Sequence, residues 1–206
     1  MRREALDAAR LYLVLDLVSG AETIVEAALR GSVDVVQLRE KTATEAEIVH
    51  VGRRLRALCR AADVLFLVND RPDLALACDA DGVHVGQDDV AVAEARRVVG
   101  PDRLIGISTH SRDQLDAAGG SGADYASVGP VWETPTKEGR AAVGLELVRY
   151  AAGAAALPWF AIGGIDGSNL GEVVAAGASR VAVVRAIRDA GDPEAAARGL
   201  RAALPA

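Results

Sequence analysis

The sequence predicts an α/β protein built as a single (β/α)8 TIM barrel over residues 1–206. Eight short runs rich in Val, Ile and Leu recur at a nearly constant step, and segments with helical periodicity separate them. No linker or change of composition interrupts this alternation. Eight repeated strand–helix units predict a barrel, although the number of strands alone also allows a doubly wound open sheet.

The predicted strands are parallel and buried on both faces, because strands covered by helices are continuously apolar. Half of the residues are apolar but only 3% are aromatic, so Ala, Val, Leu and Ile must fill the core. The last helix is expected at 192–204, where Asp192 is the candidate N-cap and Pro193 the first helical residue. The strands are expected at residues 11–16, 33–40, 64–70, 82–86, 104–109, 125–131, 158–164 and 180–187.

Polar residues follow most of the predicted strands at their carboxyl ends, where barrel enzymes carry their catalytic groups. The opposite ends show no comparable set, so the sequence predicts one active site at one rim. The residues at this rim are Gln37, Arg39, Lys41, Asn69, Asp70, Gln87, Asp88, Asp89, Ser108, Thr109, His110, Thr134 and Lys137.

The segment QLREK, residues 37–41, places Gln37, Arg39 and Lys41 on one face of an extended strand. Two cations two residues apart after a buried strand suit an anionic ligand such as a diphosphate. The alternative is a solvated strand end at which Arg39 pairs with Glu40 or with a neighbouring carboxylate.

Aspartates that follow the third and fourth strands indicate a metal site. Asp70 ends the third strand, and Asp88 and Asp89 follow the fourth, which is the third strand's neighbour in a sequential barrel. Facing carboxylates repel each other unless a cation lies between them, and Mg²⁺ binds one or two carboxylates, waters and substrate phosphates. In the alternative interpretation these aspartates cap helices, and Asp73 is expected to cap the helix that contains Pro72.

Other polar or reactive residues have more ordinary interpretations. His84 lies in the middle of the fourth strand and is either a hydrogen-bonded structural histidine or a catalytic one. Cys59 and Cys78 lie in helical patterns and are expected to be buried free thiols. Asp79 and Asp81 precede the fourth strand and are expected to face water at the opposite rim.

Two further loops are candidates for binding an anion. Residues 129–146 after the sixth strand offer Thr134, Thr136 and Lys137, either as a substrate-gripping loop or as an ordinary mobile one. The glycines of IGGIDGSN, residues 162–169, let backbone amides approach an anion, and the loops after strands seven and eight commonly bind phosphate in barrels. A tight turn is the alternative role for these glycines.

Charge and composition exclude some classes of partner. The formal net charge of −6 gives the surface no general attraction to nucleic acid or to anionic membranes. The N-terminus lacks an apolar signal core, and no apolar run approaches about 20 residues, so we expect a cytoplasmic protein. Small anionic molecules are the expected partners, and the sequence does not specify the oligomeric state.

Seven ordered motifs resemble the thiamine phosphate synthase family. They are QLREK, VND, ADGVHVGQDD, GIST, GADYASVGPVWETPTK, AIGGI followed by Asn169, and GASRVAVV, and the resemblance around them runs from about residue 11 to about residue 188. The family joins a hydroxymethylpyrimidine diphosphate to a thiazole phosphate, releases diphosphate and needs Mg²⁺. The resemblance therefore implies a transferase of thiamine biosynthesis with two phosphorylated small-molecule substrates.

The same resemblance implies individual roles. Asp70 and Asp89 match the Mg²⁺ ligands, while Asp88 occupies a position often filled by glutamate. Arg39 and Lys137 are expected to neutralise the leaving diphosphate. The expected pyrimidine diphosphate contacts are Gln37, Arg39, Lys41, Asn69, Ser108 and Lys137. The expected thiazole phosphate contacts are Thr134, Pro135, Thr136, Gly164, Val184 and Arg185, the last of which is serine in many relatives.

The implied chemistry fits these residue types. Departure of diphosphate leaves a pyrimidine methylene cation, and the thiazole nitrogen attacks it with a lone pair, so no general base is required. The protein must supply charge neutralisation on the leaving group. The alternatives are a thiazole tautomerase-type relative, a non-catalytic phosphate-binding barrel and, from the fold alone, a sugar-phosphate isomerase or epimerase.

Overall fold

The structure, a computed structural model, describes residues 2–134 and 141–205. At its centre, eight parallel strands form a closed barrel in which each strand pairs with the next along the chain and the last pairs with the first. The predicted fold is confirmed and the open sheet is excluded. The strands are β1 (Leu11–Leu15), β2 (Val35–Leu38), β3 (Leu65–Asn69), β4 (Gly82–Val85), β5 (Leu104–Thr109), β6 (Tyr125–Val128), β7 (Trp159–Ile162) and β8 (Val181–Val183).

Helices connect these strands around the barrel. Within the described residues they are α1 (Arg2–Ala8), α2 (Ala21–Arg30), α3 (Glu45–Ala61), α4 (Pro72–Ala77), α5 (Val92–Val99), α6 (Arg112–Ala118), α7 (Gly144–Ala154), α8 (Leu170–Ala175), α9 (Arg185–Arg188) and α10 (Pro193–Ala203). Helix α10 begins as predicted, because the Asp192 carboxylate accepts the Ala195 N–H at 3.0 Å and Pro193 is the first helical residue. None of these described helices is long and apolar enough to cross a membrane.

Several strands are shorter than the apolar runs that predict them. The largest difference is at β8, which ends at Val183, whereas the run was expected to remain extended to residue 187. Residues Arg185–Arg188 form helix α9 instead. A short apolar run does not by itself distinguish a buried strand from the first turn of a buried helix, so the local pattern could not place this boundary.

Apolar side chains fill the barrel interior and the layer between strands and helices. Inside the barrel, the rings of Tyr12 and Phe160 pack edge to face with their centroids 5.3 Å apart. Leu6 of α1 is buried in the same cluster, so this helix covers the amino end of the barrel. Cys59 and Cys78 are buried free thiols, as predicted.

Three aspartates anchor strands at the amino end of the barrel. Asp34, Asp81 and Asp124 each precede an even-numbered strand, and each accepts a backbone N–H near the start of the preceding odd-numbered strand. The donors are Leu11, Phe66 and Ile105, at N···O distances of 2.9, 3.0 and 2.8 Å. Each carboxylate therefore satisfies a backbone donor that burial would otherwise leave unpaired.

The prediction that Asp81 faces water is wrong. The residue is only 5% exposed, and its carboxylate lies 2.9 Å from Arg2 and 3.1 Å from Arg56. Asp79 is exposed, although it pairs with Arg103 at 3.1 Å. The amino ends of the strands were also expected to lack a comparable polar set. This expectation is wrong as well, because Asp34, Asp81 and Asp124 lie there. The cations that pair with Asp81 come from α1 and α3, which are remote in sequence, so no local pattern reveals them.

We expect Asp81→Asn to lower the free energy of unfolding by about 1.5–3 kcal/mol, the usual contribution of hydrogen bonds to a charged group. The substitution keeps the shape of the side chain but removes the charge that the two arginines neutralise. Urea unfolding measures the change. Asp79→Asn is the matched control, because its side chain is 67% exposed, and its effect should stay within about 0.5 kcal/mol. Equal effects of the two substitutions would contradict the role assigned to Asp81.

The prediction that Asp73 caps the following helix is also wrong. Helix α4 begins at Pro72, its N-cap residue is Arg71, and no side chain caps it. The Asp73 carboxylate instead accepts two hydrogen bonds from the Arg71 guanidinium, at 2.9 and 2.6 Å. Asp73 is the second residue of α4, so its side chain is not at the N-cap position. Since the N-cap is Arg71, the capping alternative for Asp70 is excluded as well.

Candidate active site

A cavity of about 260 Å³ opens at the carboxyl ends of the strands. All eight strands, or the residues just after them, contribute to its wall. A neighbouring groove of about 280 Å³ contains Lys41 and Asp70 and shares Asn69 with the cavity. The predicted residues that line the cavity are Gln37, Arg39, Asn69, Ser108, His110, Thr134, Gly164, Val184 and Arg185. Pro135, Thr136 and Lys137 lie outside the described residues.

Residues of the QLREK segment line both the cavity and the neighbouring groove. Strand β2 ends at Leu38, so Gln37 and Arg39 reach the cavity as the extended pattern predicts. The chain then bends, and Lys41 lines the groove instead. Its ammonium lies 3.3 Å from the Asp70 carboxylate. The alternation therefore holds for two of the three polar residues and fails at the third, where the strand has ended.

The Glu40 carboxylate stabilises this bend. One of its carboxylate oxygens accepts the backbone N–H groups of Lys41, Thr42 and Ala43, and the other accepts that of Leu17. Partial burial of the carboxyl raises its pKa, but the hydrogen bonds from Thr42 and from the other amides outweigh this effect and lower the pKa from 4.5 to about 2. The Glu40 side chain is therefore held by its hydrogen bonds to the loop that carries Lys41.

Arg39 is available for an anionic ligand. The alternative in which it pairs with Glu40 is excluded, because the Glu40 carboxylate is bound to the loop amides. Within residues 2–134 and 141–205, no carboxylate lies at ion-pairing distance from the Arg39 guanidinium. Its backbone N–H donates to the Leu15 carbonyl at 2.8 Å, which holds the start of the side chain at the barrel wall.

Asp70 and Asp89 bring two carboxylates together. Asp70 follows β3 with a positive φ of 60°, a conformation that Asp and Asn adopt more readily than most residues. Its N–H donates to the His84 carbonyl of β4 at 2.8 Å, and Asp89 accepts the Gly86 N–H at 2.8 Å. Burial raises the pKa of Asp70, and the hydrogen bond and charge of Asp89 raise it further, whereas Lys41 lowers it.

This pair is the part of the site that fits a divalent cation. In the described part of the chain no cluster of three or more His, Cys, Asp and Glu residues could enclose a metal by itself. Two facing carboxylates beside an open groove are, however, the donor set that Mg²⁺ uses when waters and substrate phosphates complete its coordination.

The loop after β7 exposes backbone on the opposite side of the cavity. Gly163 and Gly164 have φ values of 104° and 68°. A Cβ at Gly164 would lie 2.8 Å from the Trp132 side chain, so both the backbone conformation and the space require glycine. Asn169 donates to the Gly164 carbonyl at 2.8 Å and holds this turn. The loop is thus a tight turn that also lines the cavity, and Arg185 at the start of α9 faces the same space.

The bottom of the cavity contains His84, for which the sequence left a structural and a catalytic role open, and two tyrosines that the sequence did not single out. His84 is 7% exposed and bonds to the hydroxyls of Tyr125 and Ser108, at 2.9 and 3.0 Å. Tyr12 lies between Tyr125 and Gln37 in the same network. Their sequence signal is a polar aromatic ring inside an otherwise apolar strand, but the inward direction of each ring depends on barrel closure.

The fold and this rim define the class: a (β/α)8 barrel whose polar cavity opens at the carboxyl ends of its strands. The chain belongs to the thiamine monophosphate synthase family, whose model matches residues 11–187. It is 52% identical over 201 residues to the thiamine-phosphate synthase of Thermus thermophilus, with 95% of this chain and 97% of that protein covered.

Two further similar proteins carry names of the same family. The chain is 51% identical over 192 residues to the thiamine-phosphate synthase of Nostoc punctiforme, with 93% of this chain covered. It spans about half the length of that relative, 55%, and of several others. The solved structure of thiamine phosphate pyrophosphorylase from Pyrococcus furiosus matches with a TM-score of 0.88 and 36% identity, covering 98% of this chain and 96% of that one.

Proposed function

We propose that the protein joins 4-amino-2-methyl-5-hydroxymethylpyrimidine diphosphate to a thiazole phosphate, giving thiamine phosphate and diphosphate. The observation that carries the proposal is the position of Arg39. This cation has no carboxylate partner among residues 2–134 and 141–205, and it shares one rim with the Asp70–Asp89 pair. A cation and two facing carboxylates are the requirements for binding a diphosphate together with a divalent metal.

The pyrimidine diphosphate belongs on the side of strands β2 to β5. Asp70 and Asp89 would hold Mg²⁺, which when bound supplies charge neutralisation on the departing diphosphate. Arg39 and Lys137 donate hydrogen bonds to the same leaving group and act as the catalytic residues. The contacts proposed for this substrate are Gln37, Arg39, Lys41, Asn69, Ser108 and Lys137.

The thiazole phosphate belongs on the side of β7 and β8. The open backbone at Gly164 and the N–H groups at the start of α9 can approach its phosphate, and the Arg185 guanidinium adds a charge. The contacts proposed for this substrate are Thr134, Pro135, Thr136, Gly164, Val184 and Arg185. The two anions then lie across one cavity, which directs the thiazole nitrogen toward the pyrimidine methylene group.

In the reaction, the bond between the methylene carbon and the diphosphate oxygen breaks, and the diphosphate leaves with the electron pair. The thiazole nitrogen then forms the new bond to this carbon with its lone pair. No proton moves to or from the reacting atoms, so the chain needs no general base. Its residues bind, orient and neutralise, which is what a preorganised set of donors contributes to the transition state.

We also propose a single-domain organisation and a cytoplasmic location for this protein. Residues 1–206 form one barrel domain, which the continuous pairing of β1 to β8 supports. The protein acts in the cytoplasm, which the two buried free thiols, Cys59 and Cys78, support because reducing compartments preserve this form.

A two-substrate assay tests the function. The protein is incubated with both phosphorylated substrates, with Mg²⁺ or with a chelator, and diphosphate and thiamine phosphate are measured. We expect both products in equal amounts with Mg²⁺ and a large loss with the chelator. The proposal fails if no coupled product forms with Mg²⁺ present. Conversion of the thiazole phosphate alone, without diphosphate release, would instead indicate the tautomerase-type alternative.

A further inference from the structure

A continuous chain of hydrogen bonds crosses the barrel interior at the bottom of the cavity, which Tyr12 and His84 also line. The Gln37 amide donates to the Tyr12 hydroxyl at 2.5 Å, and the Tyr12 and Tyr125 hydroxyls are 2.9 Å apart. Tyr125 bonds to His84 Nδ1 at 2.9 Å, and His84 Nε2 bonds to the Ser108 hydroxyl at 3.0 Å. The chain therefore connects Gln37 and Ser108, two residues proposed to contact the pyrimidine, through β1, β6 and β4.

The two tyrosine hydroxyls determine the direction of the chain. Burial raises the pKa of both Tyr12 and Tyr125, so both hydroxyls keep their protons. Within the described residues, the Tyr12 hydroxyl has only Gln37 and Tyr125 as partners, and Gln37 is a donor. Tyr12 therefore donates to Tyr125, because a buried hydroxyl proton without an acceptor is costly. By the same reasoning Tyr125 donates to His84 Nδ1.

This direction assigns one tautomer to His84. With Nδ1 accepting from Tyr125, the neutral ring carries its proton on Nε2 and donates to the Ser108 oxygen. The Gln37 carboxamide uses one N–H for Tyr12, so its oxygen and its second N–H can meet a ligand in the cavity. An acceptor and a donor side by side match the exocyclic amine and the ring nitrogen of an aminopyrimidine, as carboxamides match adenine.

Packing holds the chain in place. Gln37, Tyr12, Tyr125 and Ser108 are each at most 3% exposed. Gly106 of β5 lies in register between His84 and Tyr125, and a Cβ on it would overlap the Tyr125 ring. The missing side chain at Gly106 is therefore what allows the Tyr125 hydroxyl to reach His84.

We infer that Tyr12, Tyr125 and His84 are positioning residues that hold the Gln37 carboxamide and the Ser108 hydroxyl in one donor–acceptor orientation toward the aminopyrimidine ring. This inference rests on the proposed function for the identity of the ligand. It assigns the recognition of the pyrimidine to a network that extends through the barrel to Tyr125, which is fully buried.

The three tyrosines of the chain provide a matched test. Tyr12→Phe and Tyr125→Phe each remove one hydroxyl from the network and keep the packed ring. Tyr150→Phe is the control, because its exposed hydroxyl on α7 donates to Asp116 at 2.8 Å, away from the cavity. We expect the two network variants to raise KM for the pyrimidine diphosphate about tenfold, the loss expected for one hydrogen bond. KM for the thiazole phosphate should stay within about twofold, because its contacts are on the other side of the cavity.

The outcomes separate positioning from a purely structural role. A lower Tm with both KM values unchanged, or equal rises in both KM values, overturns the inference. ¹⁵N NMR of the histidine rings, with His84→Gln to assign the signal, should show the His84 proton on Nε2 in the wild type. A proton on Nδ1 in the wild type also overturns the inference.

Calorimetry with 4-amino-5-hydroxymethyl-2-methylpyrimidine, the substrate without its diphosphate, distinguishes failure of this inference from failure of the proposed function. If the wild type binds this compound and both network variants bind it about tenfold more weakly, the inference stands even when no coupled product forms. The inference is overturned if Tyr12→Phe and Tyr125→Phe bind the compound as tightly as the control Tyr150→Phe. It is also overturned if the wild type does not bind the compound.

Discussion

Asp70→Asn should reduce turnover in the coupling reaction about 10²–10³-fold, the usual effect of removing one preorganised electrostatic contact from a transition state. The substitution removes one of the two carboxylates proposed to bind Mg²⁺ and also removes the partner of Lys41. We expect little change in Tm, because Asn adopts the positive φ of 60° at this position as readily as Asp. Steady-state kinetics and a thermal melt measure the two effects.

The choice of substitution at Asp70 matters for this test. Alanine would also remove the charge, but it would be strained at a positive φ and would confound lost stability with lost function. Asp73→Asn is the matched control, because Asp73 is exposed and pairs with Arg71 rather than facing the site. Its turnover should stay within about twofold, and its stability within about 1 kcal/mol. Normal turnover with reduced stability in Asp70→Asn would show that Asp70 is structural.

Arg39→Met should reduce kcat/KM about 10²–10³-fold, because it removes the charge and the planar set of donors proposed to bind the leaving diphosphate. Arg39→Lys should recover only part of this loss, since a lysine ammonium cannot donate two parallel hydrogen bonds to one phosphate group. Stability should change little, because no carboxylate among the described residues pairs with Arg39. Kinetics with each substrate varied in turn make the measurement.

Arg30→Met serves as the control for the loss of an arginine. Arg30 is exposed on α2 and pairs with Glu194 at 2.8 Å, and a surface pair of this kind contributes little to stability. Its kinetic constants should equal those of the wild type. If Arg39→Met and Arg30→Met behave alike in the assay, Arg39 does not bind the leaving group.

The rim residues of the QLREK segment follow the alternating pattern of the sequence only in part. Gln37 and Arg39 were expected on one face and do line one cavity, because both lie at the end of β2 or directly after it. Lys41 was expected on the same face but lines the neighbouring groove, because the strand has ended and Glu40 binds the following amides. An alternating pattern is valid only while the strand continues, and the end of a strand depends on hydrogen bonds that the pattern does not contain.

The aspartates divide in the same way. Asp70 and Asp89 were expected to face each other because they follow neighbouring strands, and their carboxylates do interact. The predicted roles of Asp73 and Asp81 were wrong because their partners are arginines. Asp81 has one cation from α1 and one from α3, and only the folded barrel brings these helices to the same end.

The sequence by itself determined the α/β class, the order of strands and helices and the polar residues that follow the strands, because apolar periodicity and connection order are local properties of the chain. The tertiary structure alone decided which side chains meet inside the barrel. Tyr12, Tyr125 and His84 come from β1, β6 and β4, and closure of the sheet places their polar atoms within hydrogen-bonding distance. A contact across a closed barrel depends on the register of every intervening strand, which no single segment encodes.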